Sequence, residues 1–407
     1  MAQPSIAEST PNPVDERRFS LFAGDHLWGL FARLKMGTPI RPNLLRAAPA
    51  MMVGLYGGLA FVIFIEDAAT HGQALQAFLG DWAAMTQFLV GLPILLAAEV
   101  HLDWRMRSAQ RYLKHSGIVQ PRALLQLRDI SHKVSTLQHS WPDWLTWPLG
   151  IAISAVWLQT EVSRGAEAWY TTQIGGQTSA SWAGIYAVIV PIGLLNAVWF
   201  RWGWKMIVWC LFLLRLSNLG LKLWPDHPDS MGGLGIISWV QMGFAFALFG
   251  VATIMAATIG YNISVKHMDP GVFAVWMPLV AFMLFAPLLF VTPLLFFTRP
   301  LLKAKQRGLI ELGSLGVKYC HLFERHAQRL EHDRPGFVDL GFTIGGMSAL
   351  ESSYKHVEHM RIVPFDLKSL SQLVLSSASP FLPLVVKYMP FMSMLSGLSG
   401  TSGGGVH

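Results

Sequence analysis

Charge is the scarcest ingredient of this 407-residue chain: Asp, Glu, Lys and Arg make up 14% of it, against 52% hydrophobic residues. A soluble domain carries more charge than that on its surface, so composition points to a membrane protein. Cysteine is nearly missing. Cys210 and Cys320 have no zinc-ligand spacing and no expected disulfide, because loop charge places both on the cytoplasmic side. There is no P-loop, no G-x-S-x-G, no Rossmann fingerprint, no H-E-x-x-H and no set of clustered histidine boxes. No signal peptide is visible, and the first long apolar run begins at Ala47. Lys plus Arg exceed Asp plus Glu by only 31 to 24, which gives no reason to expect a nucleic-acid partner.

What is present is apolar runs. A spanning helix needs about 20 mostly apolar residues. Six stretches qualify: Ala47–Ile65, Trp82–Ala98, Trp144–Thr160, Trp182–Phe200, Ile236–Tyr261 and Val272–Thr298. None contains Asp, Glu, Lys, Arg or His, and Trp82, Trp144, Trp182 and Trp276 mark an interfacial belt. Trp202–Leu221 is apolar but holds Lys205 and Arg215; Ser369–Val386 is uncharged but rich in serine. Loop charge sorts these. Segments 1–46, 101–141, 201–223 and 298–368 carry six, seven, four and eleven Lys/Arg, whereas 66–81, 161–181 and 262–271 carry none, Arg164 and Lys266. The basic segments therefore face the cytoplasm, with the N-terminus, across an inner (plasma) membrane. Residues 202–221 read as a cytoplasmic extension of span four or a surface hairpin. Residues 369–386 read as a seventh span or an interfacial segment, within a closing region 369–395.

The expected fold is all-α: a polytopic domain over 47–298 with a cytoplasmic helical bundle. Residues 1–20 read as disordered and 396–407 as a flexible tail. In 25–36, Leu27, Leu30, Phe31 and Leu34 recur at helical spacing beside Arg33 and Lys35. That pattern suits an amphipathic helix on anionic inner-leaflet lipids, or one packed on the protein itself. Helical insertions 101–141 and 201–235 and the helical region 299–368 supply the bundle. Leu124, Leu127, Ile130, Val134 and Leu137 fall on one helical face, as do Leu309, Leu312, Leu315, Tyr319 and Phe323.

Polar candidates cluster in few places. "WPDHPDSMGGLG", Trp224–Gly235, leads into span five. As a structural turn, its prolines fix the backbone, Asp229 or Ser230 caps the next helix, and Gly232, Gly233 and Gly235 admit a close neighbour. As a site, Asp226, His227 and Asp229 bind a divalent cation, or the helix start with Lys222 binds a phosphate or lipid headgroup. His356 and His359 stand three apart, as do His321 and Glu324, a spacing that can hold a metal but equally suits bundle packing. Glu99 and Asp103 share a helical face at the end of span two, where they line a pore mouth or, on the better reading, make surface ion pairs. Pro191, Asn196, Gln241, Pro278 and Pro287 are the polar or helix-breaking features of the spans, candidates for pore lining or hinges. No cofactor is expected beyond that candidate cation.

Two function classes follow. One is a channel or passive transporter, assembled as a homo-oligomer, with an uncharged pore. The alternative is a membrane enzyme acting at the cytoplasmic face on a lipid or phosphate substrate; a signalling or assembly scaffold is a third.

Overall fold

The computed structural model describes residues 44–388 apart from 139, 270–272 and 331–336, together with Gly29 and Arg33. The expectations for 1–20, for most of 25–36 and for 396–407 lie outside the described residues. In chain order the elements are α1 (Ala48–Thr70), α2 (Trp82–His115), α3 (Leu124–Gln138), α4 (Trp141–Ser163), a hairpin of β1 (Thr171–Ile174) and β2 (Gln177–Ala180), α5 (Trp182–Ser217), α6 (Gly235–Ser264), α7 (Phe273–Val291), α8 (Thr298–Leu330), α9 (Phe337–Glu358) and α10 (Lys368–Tyr388). The fold is an all-α polytopic membrane fold, 80% helical.

Among the described residues, six helical stretches are long and apolar enough to cross a bilayer: α1, α2, α5, α6, α10 and the composite Val275–Arg325 that runs from α7 through a 3₁₀ turn into α8. The number matches expectation; the membership differs. The stretch 369–386 is one of the six. Trp144–Thr160 is helical within α4, but Trp144, Trp147, Pro148 and Gln159 dilute its apolar run, and α4 falls outside the set. It is nonetheless the most extensive partner of α5. A Cβ on Gly150 would meet the Gly193 carbonyl oxygen at 2.5 Å and the Ala197 nitrogen at 2.7 Å, so the two backbones touch.

Residues 202–217 continue α5 without interruption, which selects the extension over the surface hairpin. The 34 residues of α2 and the 36 of α5 measure about 51 and 54 Å at 1.5 Å per residue. A hydrocarbon core of about 30 Å cannot contain them, so both protrude.

The largest core joins Leu95, Leu102 and Leu113 of α2, Trp209 and Phe212 of α5, Phe244 of α6, and Phe297 with Leu301 at the start of α8. Leu127 and Val134 of α3 are buried in it, as the amphipathic pattern expects. A second core gathers Leu59, Ile63, Phe78, Trp169 and Tyr170 around the loops 71–81 and 164–181. We call that side the loop end and the opposite side the extension end. The hairpin there was not anticipated. Gly175 and Gly176 have φ of 59° and 82°, which a two-residue turn of this hand requires at both central positions.

Candidate functional site

The stretch Trp224–Gly235 is a compact loop whose polar groups are mostly engaged within the protein. Asp229 accepts from the backbone N–H of Met231 (2.8 Å), Gly233 (3.1 Å) and Gly235 (2.9 Å), and its Oδ1 lies 2.8 Å from His227 Nδ1. Burial by itself raises the Asp229 pKa, but the three N–H groups and His227 outweigh it and hold the carboxyl below its ordinary value. Gly235 opens α6, so Asp229 caps that helix from six residues upstream. Ser230, Gly232 and Gly233 take positive φ of 54°, 64° and 93°, which wraps the chain around the carboxylate. A Cβ on Gly232 would come within 3.1 Å of Met360 and 3.2 Å of Leu223.

Other segments converge on this loop. The Ser353 hydroxyl donates to Asp226 Oδ2 at 3.0 Å, and His356 Nε2 donates to the His227 carbonyl at 2.9 Å. The Arg361 N–H donates to the Ser230 carbonyl at 2.9 Å, and the Lys222 N–H to the Ile118 carbonyl at 2.8 Å. The Lys222 ammonium sits 4.4 Å from the Trp224 ring centre. Pro225 presses on Gly308 of α8, where a Cβ would meet it at 2.6 Å. The loop thus joins the ends of α2, α6 and α9 to the body of α8. His359 Nδ1 is 2.7 Å from the Lys355 carbonyl, and His321 lies 3.5 Å from Glu324 with both side chains exposed on α8. Among the described residues no group of three or more His, Cys, Asp or Glu is arranged to hold a metal.

Glu99 and Asp103 are the main correction. They are not surface groups: Glu99 is 1% exposed and Asp103 0%. Across from Glu99 on α5 is Arg201, 6% exposed, and Lys205, one turn further along α5, is buried as well, at 2%. Arg201 pairs with Glu99 across the two helices, and Arg107 pairs with Asp103 at 2.9 Å within α2. Both Glu99/Asp103 and Arg201/Lys205 step by four residues, so each pair lies on one helical face. Glu99 lies about 26 Å along the axis from Trp82, and Arg201 about 29 Å from Trp182. Both therefore sit near the far edge of a 30 Å hydrocarbon core whose near edge the tryptophans mark. Arg201 and Lys205 were legible only as basic loop residues. Nothing local in the sequence pairs positions 99 and 201, and it is the protrusion of both helices that brings them level.

The polar residues inside the spans act as ties. Asn196 Nδ2 donates to Ser154 Oγ at 2.9 Å, linking α5 to α4. Gln241 accepts from Trp209 Nε1 at 2.9 Å and donates to the Phe290 carbonyl, linking α6 to α5 and α7. Pro191 stands at a break in α5, next to Val190 with ψ of −78°. Pro278 and Pro287 lie inside α7.

Four carboxylates at the loop end were not singled out from sequence. Glu66 accepts from the N–H of Trp182 and Ala183 at the start of α5, at 3.1 and 2.9 Å. Asp67 accepts from Ala74 and Leu75, and Asp81 accepts from the Ala84 N–H and Trp169 Nε1, both at 3.0 Å. Glu161 pairs with Lys266 at 2.9 Å and Arg164 at 3.3 Å, and accepts from the Tyr170 hydroxyl at 2.9 Å. Burial, then the Glu161 charge, pushes the Tyr170 phenol far above its ordinary value. The only Lys and Arg of loops 66–81, 161–181 and 262–271 thus hold one carboxylate. No protein-family model, curated protein or solved structure matches this chain.

Proposed function

We propose that this integral membrane protein is a channel or passive transporter, assembled as a homo-oligomer. Its extension end and N-terminus face the cytoplasm of an inner membrane, as the distribution of Lys and Arg favours. With α4 counted beside the six apolar helices, seven cross, and Lys387 stands in the last turn of the seventh. The observation that carries the functional reading is the set of buried charges Glu99, Asp103, Arg201 and Lys205, a ladder joined across α2 and α5 by the Glu99–Arg201 pair. Charges withdrawn from water at membrane depth are costly, and such groups commonly mark ion pathways. The ladder replaces the uncharged pore expected from sequence with a narrow, mutually neutralised constriction, and opening requires the Glu99–Arg201 pair to part. The enzyme reading has less support. Three N–H groups occupy Asp229, and Ser353 engages Asp226, so binding a cation there would require breaking the loop.

Reconstitution into liposomes loaded with ion-sensitive dyes tests this. The wild type should pass small ions above the rate of empty liposomes. The exchange Glu99→Arg with Arg201→Glu should keep the fold but change rate or selectivity. Flux no greater than that of empty liposomes, over a range of small ions and polar solutes, would overturn the proposal.

A further inference from the structure

A cavity of about 290 Å³ lies between α6 and α7, toward the loop end. It is lined by Ile254, Met255, Thr258, Ile259 and Asn262 of α6 and by Val275 and Pro278 of α7, with Met268 from the connection between them. Ile254, Thr258 and Asn262 repeat every four residues and make one ridge, so polarity rises toward the loop end over about 12 Å. The Thr258 hydroxyl is satisfied, accepting from Gln87 at 3.1 Å and donating to the Ile254 carbonyl at 3.0 Å. The Asn262 side-chain amide makes no hydrogen bond among the described residues.

We infer that this groove holds one acyl chain of a phospholipid from the leaflet at the loop end, with the Asn262 amide donating to its ester carbonyl. Three observations converge. The cavity sits at a depth where the surrounding medium is hydrocarbon, and the neighbouring face of α7, with Met277, Val280 and Leu284, is exposed, so a chain enters sideways from the bilayer. Water is a poor occupant beside Ile254, Met255 and Ile259, which offer it no side-chain polar partner, and an empty groove forfeits dispersion contacts along its lining. The volume lies at the small end of ligand pockets, about 300 Å³, and so suits part of a single chain rather than a whole lipid. Asn262, two residues from the end of α6, lies at the level where the leaflet's ester groups begin.

The test uses the full chain in phosphatidylethanolamine–phosphatidylglycerol vesicles doped with a phosphatidylcholine that carries a diazirine on its acyl chain. After irradiation and digestion, labelling should concentrate on Met255 and Ile259. Met255→Trp fills the groove and should lower labelling at Ile259 about tenfold. Asn262→Leu removes one hydrogen bond and should lower it about fivefold. Leu284→Trp, on the outward face, should leave it unchanged. If Met255→Trp does not fold, Val275→Phe serves the same purpose. Labelling spread evenly over the outward face of α7, with no enrichment at Met255 and Ile259, would overturn the inference. So would a diazirine fatty acid that labels these positions as strongly as the phospholipid does.

Discussion

Three carboxylates at the loop end and Glu99 at the extension end are held in opposite ways, with Glu161, paired to Lys266 at the loop end, resembling Glu99 rather than its neighbours. At the loop end Glu66, Asp67 and Asp81 meet backbone or indole N–H groups, so each fixes a helix start within or between neighbouring segments. At the extension end Glu99 meets a full positive charge, Arg201, projected from a different helix. A carboxylate held by neutral donors loses little when one donor goes. A buried charge whose counter-charge goes is left in a medium that cannot solvate it. The first arrangement fastens; the second is stable only while both halves are present.

The largest effect should therefore come from unpairing the ladder. Glu99→Leu or Arg201→Leu alone should cost about 3–5 kcal/mol, the range for breaking a buried pair. The double variant should recover most of that loss. Denaturant titration in detergent micelles reads both, and additive losses in the double variant would mean that the two charges are not coupled. Asp229, held by N–H donors but half-buried, should fall between the two classes. Asp229→Ala orphans three N–H groups and should cost about 2 kcal/mol. Because the folded pKa of Asp229 is depressed, its contribution is full above the unfolded carboxyl value of about 3.9 and is lost as pH falls through the folded pKa. Asp229→Asn should accordingly flatten the acid limb of a stability–pH curve while keeping most of the cap. A limb as steep in the variant as in the wild type would assign the acid sensitivity elsewhere.

The same contrast explains what the sequence disclosed. Apolar runs locate α1, α2, α5, α6 and α7 because burial in lipid needs an uninterrupted run, a local property. The cap before α6 was legible too, since Asp followed by glycines ahead of an apolar run is a start signal; that Asp229 would satisfy three N–H groups was not, because this depends on the positive φ of Ser230, Gly232 and Gly233. The hairpin is written locally: Thr171, Thr172 and Ile174 with Thr178 flank Gly175-Gly176, a turn signal, though two four-residue strands between long apolar helices leave little other trace. The ladder was invisible for a different reason. Arg201 and Lys205 look like the basic end of a span, and only the packing of α2 and α5 into one core brings Arg201 to Glu99.

The loop-end caps come next in size. Asp81→Ala removes the cap on Ala84 and the Trp169 contact and should cost about 1 kcal/mol, as should Glu66→Ala at the start of α5. Because these sites share no partner, the two losses should add, in contrast to the ladder. A loss in either variant as large as that of Glu99→Leu would erase the distinction between the two ends.

The smallest effect is expected where the geometry looks strongest. On α9, Lys355 Nζ lies 2.6 Å from Glu351 Oε1, closer than the Lys266–Glu161 contact at 2.9 Å. Distance alone would rank it first. Yet both side chains are more than 60% exposed, so water solvates each ion nearly as well apart as together, and ordering two long side chains offsets what attraction remains. Each shifts the other's pKa in the expected direction, Glu351 down and Lys355 up, through their mutual hydrogen bond and charge. That shift reports only local proximity. Lys355→Ala should leave the melting temperature where the wild type has it, at low and at high salt. A drop comparable to that of Asp81→Ala, suppressed by salt, would show that separation rather than burial sets the strength of ion pairs here, and would undo the comparison from which the ladder derives its importance.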